Sequence, residues 1–76
     1  YPYIYITPDM FRTGKETDLR VFNLPPDATY THWYINGKKM QDSSITPAES
    51  GQMEITVGIG YNDGTYEKIT KTVNVR

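Results

Sequence analysis

The stretch QMEITVGIGYNDGTYEKITKTVNVR, residues 52–76, decides the fold. Met53, Ile55, Val57 and Ile59 alternate with Glu54, Thr56, Gly58 and Gly60, the period of a strand with one face in a core. Beyond Tyr61 the chain reads Asn-Asp-Gly, a turn composition, and then turns apolar again at Ile69, Val73 and Val75. Two hairpin registers compete. A two-residue loop at Asp63-Gly64 pairs Ile59 with Lys68 and leaves Ile69 on the wrong face. A three-residue loop, Asn62-Asp63-Gly64 with Gly64 left-handed in a bulge, pairs Val57 with Ile69 and Met53 with Val73. The second keeps the apolar residues together and is the expected one. It sets Lys71 on the inner face beside Ile55, so either its stem snorkels at a sheet edge or a bulge intervenes.

Upstream lies HWYINGKKM, residues 32–40. Asn36-Gly37 is a strong two-residue hairpin signal, because a type I′ turn needs positive φ at both central positions. Such a loop pairs Ile35 with Lys38, Tyr34 with Lys39 and Trp33 with Met40. Paired residues share a face, so Trp33 and Met40 go to the core while Tyr34 and Lys39 face outward. Over TYTHWYI (29–35), Thr31, Trp33 and Ile35 point one way and Tyr30, His32 and Tyr34 the other.

Four further segments complete the reading. YIYIT (3–7) alternates, with Ile4 and Ile6 inward and Tyr3 and Tyr5 outward, and TPDMFRTGKET (7–17) is irregular, with a turn at Gly14. DLRVFNL (18–24) is a strand with Leu19 and Val21 inward, and its alternation breaks near Phe22 and Leu24, where a bulge is expected. PPDAT (25–29) is not strand interior, because proline removes ladder donors. SSIT (43–46) is a brief strand with Ile45 inward, and PAESG (47–51) is a turn. No stretch of ten residues carries helical apolar spacing. The expectation is an all-β antiparallel sandwich of about seven short strands. It forms one domain over residues 1–76, with 1–17 a first strand and lead-in and 18–76 the sandwich core.

Composition narrows the function classes. At 76 residues the core is thin, because such a chain buries only about 60% of its unfolded surface. A net charge of −1 without a basic run gives nucleic acid no footprint. No apolar stretch approaches the roughly 18 residues a membrane helix needs. There are no cysteines, hence no disulfides, thiol nucleophiles or cysteine-based zinc sites. The chain opens on Tyr1, as a mature form or a piece of something longer would.

The frame around Trp33 resembles the immunoglobulin fold. Glu49 to Ile55 occupy the acidic-x-Gly-x-Tyr-x-Cys approach to strand F, with Met53 in place of the corner Tyr and Ile55 in place of the second Cys. Val21 stands for the first Cys. WYING (33–37) and YNDGTYEKITKTVNV (61–75) are similar to the bacterial immunoglobulin-like and PKD-like patterns W-x-x-N-G and Y-x-D-G-[ST]-x-x-x-[IV]-T-x-x-[IV]-x-V. The likeness covers roughly residues 18–76. It implies an accessory module of a secreted or surface protein, a structural spacer or adhesive domain beside other domains. Its partners would be neighbouring domains of the same chain or another protein, without nucleic acid or membrane insertion.

No catalytic set is legible. His32 has no cysteine or second histidine to form a metal or nucleophile arrangement. Asp27, Asp42 and Asp63 read as turn residues bonding their own backbone. Asn62 and Asp63 are the nearest approach to a calcium loop, and they lack the repeated Asp spacing of one. No metal or cofactor is expected, and no enzyme activity. The candidate binding residues are Tyr30, His32, Tyr34 and Lys39 on the outer face. There exposed rings would stack a sugar or meet a neighbouring domain, against the alternative of ordinary cross-strand tyrosine pairing. Tyr1, Tyr3 and Tyr5 share a second face, and Tyr61 and Tyr66 flank the last hairpin.

Overall fold

Strand periodicity dominates the computed structural model, which describes residues 1–7 and 9–76. Among the described residues eight strands follow in order: β1 Tyr3–Ile4, β2 Thr17–Asp18, β3 Val21–Phe22, β4 Ala28–Ile35, β5 Lys38–Met40, β6 Ser44–Ile45, β7 Gly51–Tyr61 and β8 Tyr66–Val75. The fold is all-β and antiparallel, and no helix among the described residues is long and apolar enough to cross a membrane. The main sheet has four strands in the order β5-β4-β7-β8, and two small ribbons pair β1 with β3 and β2 with β6.

Both hairpins take the register that their side chains dictate. Trp33 pairs with Met40, Tyr34 with Lys39 and Ile35 with Lys38 around Asn36 (φ 50°) and Gly37 (φ 84°). Asn36 does more than tolerate the left-handed conformation. Its N–H donates to the Glu54 carbonyl at 2.9 Å, and its Oδ1 accepts the Glu54 N–H at 2.9 Å, which ties the turn to the neighbouring strand. In the second hairpin Val57 pairs with Ile69 and Met53 with Val73. Gly64 (φ 85°) donates its N–H to the Tyr61 carbonyl at 3.1 Å, and the Tyr61 N–H donates to the Thr65 carbonyl at 3.0 Å. Lys71 does sit opposite Ile55, in an unbroken ladder, and is exposed at the sheet edge. Of the two resolutions open to it, the bulge is therefore excluded.

The segment 18–24, read as one strand, is divided. Residues 17–18 pair with β6, and residues 21–22 pair with β1. Between them the Leu19 N–H reaches the Ser43 carbonyl, while the Arg20 carbonyl accepts the Tyr5 N–H at 2.9 Å. One run of chain thus serves a neighbour on each side. It ends at Asn23, whose φ of 65° cannot continue a strand. The left-handed turn, in place of a bulge, breaks the alternation near Phe22 and Leu24, both of which are exposed.

The ribbons cover the inner face of the main sheet. Ile4, Phe11 and Leu19 pack in one cluster with Trp33, Met53, Ile55, Val57, Ile59, Val73 and Val75. Phe11 belongs to the irregular lead-in and yet is among the largest fully buried side chains. Two hydrogen bonds hold it there: the Arg76 N–H donates to the Phe11 carbonyl at 3.1 Å, and the Thr13 N–H donates to the Arg76 carbonyl at 2.7 Å. The loop therefore lies along the end of β8. The molecule is elongated, 39 × 22 × 17 Å. The eleven residues of β7, at about 3.4 Å each, run nearly that length.

Candidate functional site

The outer face of the main sheet collects the aromatic residues in register. Tyr30, Gly60 and Tyr66 form one row across β4, β7 and β8, and His32, Gly58 and Lys68 the next. Lys39, Tyr34, Thr56 and Thr70 form a third row across all four strands. The strand alternation points Gly58 and Gly60 outward, and both are nonetheless buried. The cause is the tyrosines. A Cβ at Gly60 would lie 2.2 Å from Cε1 and Cζ of Tyr30, and one at Gly58 would lie 1.8 Å from the Tyr66 hydroxyl. The two rings thus occupy the space that side chains on β7 would fill. Glycine is needed here for close approach of a neighbouring side chain.

Around them the polar groups are mutually engaged. The Tyr34 and Tyr66 hydroxyls are 3.5 Å apart, a long contact, and the Thr56 and Thr70 hydroxyls are 3.0 Å apart. The contact with Tyr34, followed by burial, raises the Tyr66 phenol above its ordinary value. Lys68 Nζ lies 5.5 Å from the centre of the Tyr34 ring and 6.0 Å from that of Tyr66, within cation–π range of both.

The four residues read from sequence are only partly brought together. Tyr30 and His32 touch, with ring centroids 5.0 Å apart, but their planes meet at 59°. They make no flat shelf. Tyr30 is half exposed, and His32 and Tyr34 are half-buried. Lys39 is exposed opposite Tyr34 in register, while the cation over the Tyr34 ring is Lys68. Tyr66 and Lys68 are the members of the face that the sequence reading left out. The register that pairs Val57 with Ile69 already places them across Gly60 and Gly58, so the signal was present.

Two other places carry features of a site. Tyr3 and Tyr5 both pack on Phe22, at 5.9 and 4.9 Å between ring centroids, and make an exposed aromatic patch. At the loop end, a cleft of about 400 Å³ is lined by Tyr1, Pro2, Pro25, Asp27, Tyr61, Thr65 and Glu67. There the Tyr61 O–H donates to Glu67 Oε1 at 3.2 Å; burial first, and then that bond, raise the phenol above its ordinary value. Among the described residues no three His, Asp or Glu side chains are grouped to hold a metal ion.

No family model matches the chain, and no curated protein matches it. One solved structure is similar in fold: SGBP-B of the Bacteroides ovatus mixed-linkage glucan utilization locus, in complex with a mixed-linkage heptasaccharide. The TM-score is 0.57 at 18% sequence identity, over 100% of this chain. The chain spans only 24% of the length of SGBP-B.

Proposed function

We propose that this chain is a non-catalytic, immunoglobulin-like module that positions its neighbours within a larger secreted or cell-surface protein concerned with glycans. The carrying observation is that its whole length matches the fold of just 24% of SGBP-B, the proportion of one module among several. The strand order supports the immunoglobulin-like reading. β5-β4-β7-β8 corresponds to C′-C-F-G, the run 17–22 corresponds to B between A and E, and the buried Trp33 lies on the strand that corresponds to C. The exposed Tyr3–Tyr5–Phe22 patch suits a contact with an adjoining domain.

A second reading has its own support. The rings of Tyr30 and Tyr66, laid over Gly60 and Gly58 beside Tyr34, leave aromatic surface open to solvent, as a carbohydrate-binding face would. His32 lies within it, between Tyr30 and Tyr34, and Lys39 at its margin. Titration of the domain with the mixed-linkage heptasaccharide and a panel of soluble polysaccharide fragments, followed by amide shifts, separates the two. A flat response supports the spacer. Shifts clustered on residues 30–39 and 58–68 overturn it in favour of the binding face.

A further inference from the structure

The charges on the outer sheet face are unlike those of the molecule as a whole. The chain carries eight Lys and Arg against nine Asp and Glu. The outward positions of the main sheet carry Lys39 and Lys68 in adjacent rows, with His32 in the row of Lys68 and one carboxylate, Glu54, beyond the row of Lys39. Glu54 lies at the Asn36 turn, opposite Thr72 and beyond the Tyr34 row. Among the described residues the salt bridge joins Arg76 to Asp9, and neither lysine is in one. Lys39 stands exposed beside the rings and Lys68 lies over two of them, so both bring positive charge to the aromatic face.

We propose that this face takes an acidic polysaccharide, with Tyr30 and Tyr66 against sugar rings and Lys39 and Lys68 against uronate carboxylates. The proposal rests on the carbohydrate-binding reading above and specifies its ligand. Lys39 and Lys68 stand on the two edge strands, three strand spacings apart, or about 14 Å across the sheet. The backbones stand that far apart, while the Lys68 ammonium leans back over the Tyr34 ring; rings spread from the Tyr30 row to the Tyr34 row suit a chain of several units. The Tyr34 and Tyr66 hydroxyls and the Thr56–Thr70 pair lie between the lysines and can donate to ring hydroxyls or carboxylate oxygens. A lysine ammonium holding a carboxylate makes a charge-assisted hydrogen bond, stronger than any neutral contact on the face.

The test is a titration of the domain with trigalacturonate and, in parallel, with the neutral mixed-linkage heptasaccharide, read by amide shifts. Trigalacturonate is expected to shift residues 30–34, 58–60 and 66–68, and raised salt is expected to weaken it by screening. Lys68→Gln, an exposed substitution that leaves the core untouched, is expected to weaken trigalacturonate binding roughly fivefold or more. If the neutral heptasaccharide binds as well as the acidic one, or Lys68→Gln changes nothing, the acidic ligand is refuted and the carbohydrate face stands. If neither sugar shifts any amide on this face, both are refuted.

Discussion

Gly58 is the residue at which local and tertiary requirements meet. A glycine in a strand interior is unfavourable by itself, by about 0.5–1 kcal/mol relative to alanine. It is tolerated because the Tyr66 hydroxyl occupies the space a Cβ would take. The blocking atom is the far end of a flexible side chain. Gly58→Ala should therefore change stability by no more than about 1 kcal/mol, since the backbone gain offsets the displacement of Tyr66. It should nevertheless move Tyr66 away from Tyr34, and ring-proton shifts of both tyrosines would register the separation. Asn36 is the reverse case. Its left-handed φ and its side-chain bond to the Glu54 N–H require the same residue, so sequence and structure agree there.

At the scale of the element, Phe11 carries the irregular lead-in into the core. Phe11 is 2% exposed although no strand contains it, and backbone bonds to Arg76 hold its segment in place. Phe11→Ala should cost about 3–5 kcal/mol by chemical denaturation. A domain of this length has ~4–11 kcal/mol of total stability at typical values per residue. A loss below 1 kcal/mol would mean that the lead-in is merely draped over the sandwich. The last hairpin carries a pH signature. Thr65 donates its hydroxyl (2.6 Å) and its N–H (3.0 Å) to Asp63 Oδ1, and these bonds hold the carboxyl below its ordinary value. A depressed folded value means that the stabilisation is complete above the unfolded value of about 3.9. It is lost as pH falls through the lower folded value. Asp63→Asn should flatten that part of the acid limb, measured as unfolding midpoint against pH.

The whole molecule is a four-stranded sheet with two unequal edges. β5 has three residues, whereas β8 has ten. Arg76 points its N–H and C=O away from β7, toward residues 11–13. By the two-residue alternation, Tyr66, Lys68, Thr70, Thr72 and Asn74 point the same way. That is a long open ladder, which would template pairing with another chain. Lys68 and Lys71, both exposed, place charge along it. Replacing both by Val should raise concentration-dependent association in light scattering. If the double variant stays monomeric at high concentration, edge protection by charge is not their role.

The sequence by itself determined both hairpins, because strand alternation is a local property and a one-residue slip would have turned Ile69 or Trp33 to solvent. It likewise fixed the inner set Met53, Ile55, Val57 and Ile59, and the side of β4 on which Tyr30, His32 and Tyr34 stand. Only the tertiary structure decided the rest. The division of 18–24 depends on two partners, β1 and β6, that lie far away in sequence and leave no periodic mark. The burial of Phe11 depends on an irregular segment meeting the end of β8. The register sets Tyr66 and Lys68 on the outer face, but only packing lays the Tyr30 and Tyr66 rings over Gly60 and Gly58. A side chain's reach across its neighbours is set by packing, and no spacing along one strand records it.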